Sequence, residues 1–485
     1  MGVAVADHSM PEQPRLRIQG MYLDALKFLD VPAGLNETDG PILPLYAVRP
    51  DNLPSRLSDL PNSAAAQASL LGFSGEAGRV LRLSDHNGAL AGAVLGLGNG
   101  SVFAGFGNAA TALPPGHVWR IEDNENVIEA AELGFFLGAY RYQALKTKKT
   151  AFSSLGNAST RSRIVAGSIM LARELINTPA NILGPAELAE IGMQLAARFG
   201  ADAEHIKSED LAARYPAIHA VGAGSSRPPA VMVLRWKGST AGLTAPLVSL
   251  CGKGVCFDTG GYNLKPGPAM RLMRKDMGGA AIAMGLAAAI MALDLPIRLE
   301  LRVGCAENSV SGSAMRPSDI LYTRAGITVE VGDTDAEGRL VLCDLLAEAC
   351  EAKPDWLIDI ATLTGAARIA LGPELPALFC NRDEMAEAIL ASGRAKDDQL
   401  WRMPLHDSYA SWLENPFADL SNVSSKPFAG AITASLFLQH FISKQVSWAH
   451  IDTYAWNDSS RPGKPEGGEA QTLQALLGAV EYLSI

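Results

Sequence analysis

From about residue 180 onward, short apolar runs and helical patterns alternate along the chain. The apolar runs lie near turn-forming residues and cover 230–236, 247–251, 297–303 and 356–360. Helical patterns separate them at 280–293, 340–352 and 384–395. Strands that alternate with helices favour a sheet covered by helices on both faces. We therefore predict an α/β fold with a mixed central sheet covered by helices.

The first part of the chain shows a similar alternation, with a strand pattern at 89–97 and a helical pattern at 126–146. A stretch of small residues at 153–159 suggests a domain boundary. A further helical pattern at 160–176 follows it. We predict two domains: a smaller N-terminal α/β domain over residues 1–155, a connecting helix over 156–180, and a larger C-terminal α/β domain over 181–485.

The composition, with 48% hydrophobic and 19% charged residues, is typical of a soluble globular enzyme. A formal net charge of −10 argues against nucleic acid and anionic membranes as partners. The longest apolar run, 280–293, is too short to span a bilayer, and the N-terminus lacks a secretory signal pattern. Six cysteines without a C-x-x-C pair indicate reduced thiols. These features predict a cytoplasmic protein without a membrane segment.

Two glycine-rich segments of the C-terminal domain concentrate charged side chains among apolar residues. The first contains Lys253, Asp258, Lys265 and Asp276, and the second contains Asp335, Glu337 and Arg339. Charged groups seldom occupy such surroundings unless they are paired or bound to a metal. Lys253 follows one predicted strand, and Asp333 follows another at 326–331. Both segments are therefore expected at the strand ends, where α/β sheets form their sites.

The carboxylates of these segments suggest metal ligands. Asp333, Asp335 and Glu337 are spaced by two, so in an extended segment they would point to one side. Carboxylates held together repel each other unless a cation neutralises them, and oxygen ligands favour a hard divalent ion. With Asp333 set aside, four carboxylates balance two divalent ions: Asp258, Asp276, Asp335 and Glu337. We predict a hydrolytic site with two metals, in which Lys253 binds metal as a neutral amine.

Other kinds of site fit the pattern less well. Residues 333–344 imitate an EF-hand calcium loop, but its fifth position is Glu and its twelfth is Asp, and a helical pattern begins at 340 inside it. The sequence contains no P-loop, no G-x-S-x-G and no H-E-x-x-H motif. The eight histidines show no ligand spacing, and we interpret them as structural.

The two segments resemble the leucine aminopeptidase (cytosol aminopeptidase) family of dinuclear-metal peptidases. The resemblance rests on G-K-G and F-D-T-G-G from Gly252, a lysine before Pro266, K-D-M-G-G-A from Lys275 and T-D-A-E-G-R-L from Thr334. Residues 171–185, 361–366 and 429–434 are also similar to family segments. The likeness covers roughly residues 165–460 and is weak before 150.

The resemblance implies a metal-dependent aminopeptidase that removes the N-terminal residue of peptides with a water activated by two metals. It implies that Lys253 and Asp276 hold one metal, Asp335 the other, and Asp258 and Glu337 both. The family also implies Zn²⁺ and/or Mn²⁺ as the ions and a homo-hexameric assembly.

The same resemblance assigns the remaining site residues. Lys265 and Arg339 would be the catalytic cations, with a bicarbonate held at Arg339. Thr362, Leu363 and Gly365 would line the substrate cleft, and Met273 would line the pocket for the N-terminal side chain.

The chain departs from the family pattern in several places, including position 333 and residues 467–470. Asp333 stands where the family usually has Asn beside the metals, and we expect it among the substrate-binding residues, where it changes the metal preference or favours a cationic substrate group. Gly467-Gly468-Glu469-Ala470 replaces a more usual Gly-Ala-Thr-Gly. Two alternatives remain: a non-catalytic or regulatory, possibly DNA-binding, protein on the same fold, and a dinuclear phosphoesterase. The complete set of ligands and cations argues against the first, and the absence of a phosphate-binding loop argues against the second.

Overall fold

A computed structural model describes residues 25–30, 41–60, 62–122 and 125–484 of the 485-residue chain. Predictions that concern residues 1–24, including the one on a secretory signal, lie outside the described residues. The described part forms two α/β units, one around a five-stranded sheet and one around an eight-stranded sheet. The predicted fold class is therefore confirmed.

The N-terminal unit is built on a sheet with the strand order β2-β3-β1-β4-β5. Its strands are β1 (Ile42–Val48), β2 (Val80–Ser84), β3 (Leu90–Gly96), β4 (Val118–Glu122) and β5 (Ser154–Leu155). Only β2, on an edge, runs antiparallel to its neighbour. The helices of this unit are Leu53–Ser58, Asn62–Leu70, Val102–Ala112 and Glu125–Ala139, and a 3-10 turn spans Lys27–Leu29.

The helix predicted over 126–146 ends earlier, at Ala139. The next residue, Tyr140, is 2% exposed, and its hydroxyl donates a hydrogen bond to Glu174 Oε2 at 2.8 Å. The chain leaves the helix to bury this ring against the following helix. The basic residues in 141–149 therefore follow the helix in an irregular segment.

The larger unit has a central sheet with the strand order β14-β13-β16-β12-β8-β9-β7-β6. Its strands are β6 (Asp202–Lys207), β7 (Ala230–Lys237), β8 (Leu247–Asp258), β9 (Arg298–Asn308), β12 (Trp356–Ala361), β13 (Ala377–Cys380), β14 (Trp401–Arg402) and β16 (Ser447–Asp452). The four middle strands, β16, β12, β8 and β9, are parallel, whereas β7 and β13 run antiparallel to the neighbours that join them to the middle strands. The sheet is mixed, as predicted.

Two small sheets complete the unit. One contains β10 (Ile320–Tyr322), β11 (Thr328–Glu330) and β15 (Leu420–Ser421), and the other pairs β17 (Trp456–Asn457) with β18 (Gly467–Gly468). The strand predicted over 326–331 is β11, which lies in the first small sheet rather than in the central one. The second charged segment is therefore delivered to the site by a separate small sheet.

Helices cover both faces of the central sheet. One face packs against Thr160–Asn177, Pro185–Arg198, Gly278–Ala292, Asp383–Ala395 and Leu473–Leu483. The other packs against Ser208–Arg214, Pro216–Gly222, Gly338–Glu351 and Gly430–Gln439. Shorter segments are Gly267–Met270, Gly365–Leu371 and the 3-10 helices Met273–Met277 and Asp407–Leu413. Side chains of the middle strands alternate between two cores, as Leu250 and Cys251 of β8 do.

The helix Gly278–Ala292 lies unusually close to the sheet because its first residues are small. A Cβ on Gly279 would come 2.0 Å from the Ile360 carbonyl oxygen of β12. The helical stretch Met273–Ala292 is long and apolar enough to cross a membrane, but 94% of its apolar window is buried inside the fold. This burial fits the predicted role as a core helix, and it fixes Asp276 beside the ends of β8 and β12.

The six cysteines are buried, and none forms a disulfide. This agrees with the predicted reduced thiols. The helix Thr160–Asn177 begins where the Ser159 hydroxyl accepts a hydrogen bond from the Ser162 N–H, and it packs against both units.

Candidate metal centre

Lys253 and Asp258 lie on β8 and face one cavity. In a regular strand, positions five apart point to opposite faces. The pairing of β8 with β9 shifts register between Val255 and Phe257, as a β-bulge does, and the extra residue turns both side chains to the same side. The strand continues to Asp258, so Lys253 lies inside it. The prediction that Lys253 follows the strand is wrong.

The second charged segment forms a turn rather than an extended run. The Ala336 N–H donates to the Asp333 carbonyl at 3.2 Å. The Asn422 side chain holds this turn, accepting from the Asp333 N–H at 3.2 Å and donating to the Asp333 carbonyl at 2.8 Å. The expected one-sided row of carboxylates is therefore wrong, because Asp333 points back into the turn and accepts the Asp335 N–H at 2.8 Å. Asp335 and Glu337 still project together.

Carboxylate oxygens from the two distant segments converge. One oxygen each from Asp258, Asp335 and Glu337 lies within 4.8 Å of the other two. Asp258 is fixed by its Oδ1, which accepts from the Gly260 N–H and from Asn308 Nδ2, both at 2.8 Å. The predicted meeting of these three carboxylates thus occurs in the fold.

Two lysines interleave with the carboxylates. Lys253 Nζ lies 2.8 Å from Asp276 Oδ2 and 2.9 Å from Glu337 Oε1. Lys265 Nζ lies 2.8 Å from Asp258 Oδ2 and 2.5 Å from Asp335 Oδ1. Cations and carboxylates therefore alternate through the cluster, and each lysine offsets part of the repulsion between the two carboxylates that it pairs with.

Asp276 joins the cluster from the 3-10 helix Met273–Met277. The Thr362 hydroxyl, at the end of β12, donates to Asp276 Oδ1 at 2.7 Å, and the Thr362 carbonyl accepts from Lys253 Nζ at 3.0 Å. Thr362 therefore sets the relative positions of two predicted metal ligands. All five predicted ligands, Lys253, Asp258, Asp276, Asp335 and Glu337, line one cavity of about 260 Å³.

The protein groups alone do not balance the buried charge of this cluster. Burial, and then the charge of Asp258, raises the pKa of Glu337 to about 8. Burial and Asp258 likewise raise the pKa of Asp335 to about 6. Burial lowers the pKa of Lys253, but the charges of Asp276 and Glu337 outweigh it and hold that pKa above its ordinary value.

The donor set fits a divalent cation. Glu337 is 1% exposed, and its Oε2 is a buried oxygen without a hydrogen-bond partner among the described residues. Such an oxygen is unfavourable unless a cation or proton neutralises it. The carboxylates supply the hard oxygen donors that divalent ions prefer, and Lys253 would have to release a proton to join them.

Arg339 lies in the first turn of the helix Gly338–Glu351, directly after Glu337 and Gly338. It is 8% exposed and donates from Nη1 to the Asn422 carbonyl at 2.6 Å, while its Nε has no partner among the described residues. Burial lowers the pKa of its guanidinium to about 10, which keeps it charged at neutral pH. Arg339 does not line the cavity that holds the carboxylates.

Four of the predicted substrate-binding residues line the same cavity: Met273, Thr362, Leu363 and Gly365. Asp333 does not line it. Its backbone is held by Asn422, and its carboxylate is used within its own turn. The predicted substrate-binding residues, except Asp333, thus line the same cavity as the predicted metal ligands.

Several residues that shape the site were missed from the sequence. Asn308 holds Asp258, and Asn422 holds the turn that carries Asp335. Asp452, at the end of β16, accepts hydrogen bonds from the Leu363 and Thr364 N–H groups and so fixes the loop after β12. The signal was available for Asp452 and Asn308, because each is a polar residue that ends an apolar strand of the central sheet.

The sequence was compared with protein-family models and with known proteins. Residues 170–477 match the model of the cytosol aminopeptidase family catalytic domain, and residues 43–156 match that of the M17 aminopeptidase N-terminal domain. A probable cytosol aminopeptidase of Pseudomonas fluorescens is 42% identical over 340 residues, which cover 68% of this chain and 66% of that protein, just under two thirds. One from Mycobacterium tuberculosis is 39% identical over 381 residues, 74% of each chain.

Solved structures agree with these matches. The cytosol aminopeptidase of Coxiella burnetii superposes with a TM-score of 0.87 at 42% identity, covering 92% of this chain and 98% of that one. The bottromycin maturation enzyme BotP in complex with Mn has a TM-score of 0.83 at 29% identity, covering 92% of this chain and 100% of that one. The family model spans more than half of the sequence, and the chain belongs to the cytosol aminopeptidase family.

Proposed function

We propose that this chain is a metal-dependent aminopeptidase that hydrolyses the bond after the first residue of peptides with a free N-terminus. The observation that carries the proposal is the convergence of Asp258, Asp335 and Glu337, whose oxygens lie within 4.8 Å, beside the lysines Lys253 and Lys265. Membership of the cytosol aminopeptidase family supports the same activity. The non-catalytic alternative is not favoured, because the predicted ligands and the catalytic lysine are gathered in one cavity.

The proposed metal ligands divide between two sites. Lys253 and Asp276 would hold one divalent ion, Asp335 the other, and Asp258 and Glu337 both. Zn²⁺ and/or Mn²⁺ are the proposed ions. When bound, such a pair supplies a water acidified enough to act as a nucleophile near neutral pH, together with Lewis acidity.

Lys265 is the proposed electrostatic catalyst. Its side chain is 14% exposed, and it lines the cavity while it pairs with Asp258 and Asp335. An ammonium held in place by two carboxylates is oriented before the substrate arrives. Placed beside the scissile carbonyl, it stabilises the negative charge that develops on the carbonyl oxygen as the bond is attacked.

Arg339 is the second proposed catalytic cation, through an anion that it holds. Its Nε is free of protein partners among the described residues, and its planar fork suits a small anion such as bicarbonate. A bicarbonate oxygen can take the proton that the nucleophile loses. The motif offers no side chain for that task, since Lys265 and Arg339 are cationic, and Lys253 and the carboxylates are proposed metal ligands.

The substrate residues fit the same scheme. Thr362, Leu363 and Gly365 are proposed to hold the peptide along the cavity, and Met273 to contact its first side chain. The proposal includes the domain division 1–155, 156–180 and 181–485, a cytoplasmic location and a homo-hexamer. The name cytosol aminopeptidase borne by relatives supports the location, and the homo-hexamer rests on the family resemblance alone.

The test compares a free with a blocked N-terminus. Purified protein loaded with Mn²⁺ or Zn²⁺ is given leucine p-nitroanilide and its N-acetyl derivative, and nitroaniline release is followed. The proposal expects release from the free substrate only, and none after chelation. Hydrolysis of neither substrate, or of both equally, would show that the chain is not an aminopeptidase. A phosphate ester in parallel separates this activity from that of a dinuclear phosphoesterase.

A further inference from the structure

Lys275 is a buried cation without an anionic partner. It is 5% exposed, and within the described part of the chain it makes no ion pair and no side-chain hydrogen bond. Its Nζ lies 4.6 Å from the centroid of the Tyr454 ring. A buried ammonium is unfavourable unless a negative group offsets its lost hydration, and a ring face does so only in part. The residue therefore requires a further partner.

The acidic groups nearest in the fold are already engaged. Asp276 pairs with Lys253 at 2.8 Å. Asp452 accepts the N–H groups of Leu363 at 3.0 Å and Thr364 at 3.1 Å. Neither carboxylate lies within ion-pair distance of Lys275, and the lysine lines the cavity that contains the metal ligands. Its missing partner can therefore come from a molecule in that cavity.

The cavity has a cationic end distinct from the carboxylate cluster. The exposed Arg368 lies with its guanidinium carbon 4.9 Å from the same Tyr454 ring, so two cations flank this ring. The lining of the same cavity also includes the apolar side chains of Leu272 and Met273. A ligand with an apolar stem and an anionic tip matches this lining.

The position of Lys275 in the chain identifies the part of a peptide that reaches it. This step rests on the proposed function. In a bound peptide, the first residue lies between its own α-amine and the scissile carbonyl, and both must lie at the carboxylate cluster. Lys275 precedes the proposed ligand Asp276 directly and is buried, whereas Arg368 is exposed at the mouth. This adjacency to a proposed ligand, together with its burial, directs the side chain of the first residue toward Lys275, whereas the exposed Arg368 lies nearer to solvent.

We propose that this cavity selects peptides whose N-terminal residue is acidic, with the carboxylate of a first Glu or Asp bound by Lys275. Arg368 supports the same carboxylate from the mouth. The ionic contact replaces the hydration that the buried ammonium has lost, and the apolar lining packs on the methylene groups of the substrate.

The test uses substrate pairs that differ only in charge. The kcat/KM values for glutamyl and glutaminyl anilides, and for aspartyl and asparaginyl anilides, are measured on the metal-loaded protein. The acidic member is expected to be favoured by about tenfold or more, the usual range for a buried contact to a charged group. Lys275→Met is expected to abolish this ratio, Lys275→Arg to restore part of it, and Arg368→Gln to reduce it less. Exposed Lys444→Met is the matched control and should keep the parent ratio.

A binding measurement gives a second readout that needs no turnover. Calorimetric binding of free L-glutamate, the product, is expected to exceed that of L-glutamine in the parent and not in Lys275→Met. A folded Lys275→Met with the parent ratio would overturn the proposal, as would equal rates for the paired anilides. If Lys275→Met does not fold, Arg368→Gln provides the test. An unchanged ratio of acidic to amide kcat/KM in that variant would contradict the proposal that Lys275 and Arg368 together bind the substrate carboxylate.

A dipeptide and its amide locate the anion that the cationic end binds. Preference for a dipeptide with a free C-terminal carboxylate over its amide, without preference for Glu over Gln at the first position, would place the anion beyond the first residue and overturn the assignment. Failure of the specificity proposal also differs from failure of the proposed function: leucine anilide cleaved with no acidic preference contradicts only the former, whereas no anilide cleaved at all contradicts the latter.

Discussion

Gly338 and Lys253 touch across the candidate metal centre: a Cβ on Gly338 would come 2.6 Å from Lys253 Nζ. Gly338 opens the helix that follows Glu337, and Lys253 lies in the middle of β8. The glycine of the second charged segment thus leaves the space in which the lysine of the first one lies. The helical backbone at Gly338 does not itself require glycine. Glycine is needed there because a larger residue would occupy the space of the Lys253 side chain.

Gly338→Ala should therefore fold but displace Lys253 from its place between Asp276 and Glu337. We expect metal affinity to fall by about 10–100-fold, as for other changes next to a metal ligand. Metal titration by calorimetry measures the effect. Gly312→Ala is the control, because a Cβ there meets nothing within 4 Å. Equal affinities for the two variants would show that Lys253 does not need the space.

Asp276→Ala removes a proposed ligand and leaves Lys253 paired with Glu337 alone. We expect the loss of one metal ion per subunit and of nearly all aminopeptidase activity, because the site then has too few negative donors. Elemental analysis of the purified variant and anilide hydrolysis measure the two effects. The exposed Asp51→Ala should match the parent protein. Parent turnover in Asp276→Ala would mean that the ligand assignment is wrong.

Arg339→Ala separates catalysis from metal binding. The guanidinium contacts no proposed ligand and donates to the Asn422 carbonyl at 2.6 Å. We expect unchanged metal content and a fall in kcat of about 100-fold or more, the usual loss for one preorganised charged donor. A variant that loses metal together with activity would place Arg339 among the groups that build the metal site instead.

Glu469, one of the departures from the family pattern, is structural. It is 5% exposed and pairs with Arg173 of the helix Thr160–Asn177, which is 1% exposed, at 3.0 Å. Glu469→Ala should lower the free energy of unfolding by about 3–5 kcal/mol, because it leaves a buried guanidinium unpaired. Glu387→Ala breaks the exposed pair with Arg394 and should cost less than about 1 kcal/mol. Urea unfolding compares them, and equal losses would contradict this assignment.

The same pair predicts an acid limit of stability. Burial raises the pKa of Glu469, but the charge of Arg173 outweighs it, so the folded pKa lies below the ordinary value of 4.5. A carboxyl with a lowered folded pKa contributes stability that is present above pH 4.5 and is lost as pH falls through the folded pKa. In Glu469→Gln, the slope of unfolding free energy against pH below 4.5 should become shallower. An unchanged slope would assign the acid sensitivity to other carboxyls.

The sequence predicted the family, the fold class and the coming together of the metal set, because these depend on local patterns. Strand and helix periodicity is local, and so is the clustering of charges among glycines around Lys253 and Asp335. The local backbone geometry that brings the two charged segments together could not be predicted from such local patterns. The bulge between Val255 and Phe257 and the turn held by Asn422 depend on contacts with distant strands.

The missed residues have a common cause. Asn422 acts on a turn far earlier in the chain, with a separation of 89 residues from Asp333, and no local pattern signals such a contact. Lys275 lies next to the predicted ligand Asp276, and it is distinguished only by its burial without an anionic partner in the described part of the chain. Asp333 was the opposite case. Its spacing from Asp335 and Glu337 predicted a place in the site, but its carboxylate accepts a hydrogen bond from the Asp335 N–H within the turn.

The most direct test of the central claim is anomalous diffraction from crystals of the protein loaded with Mn²⁺. A dinuclear centre predicts two peaks per subunit in the cavity, one contacting Asp276 and Lys253, the other Asp335, with Asp258 and Glu337 between them. Peaks elsewhere, or none within coordination distance of Asp258 and Glu337, would contradict it.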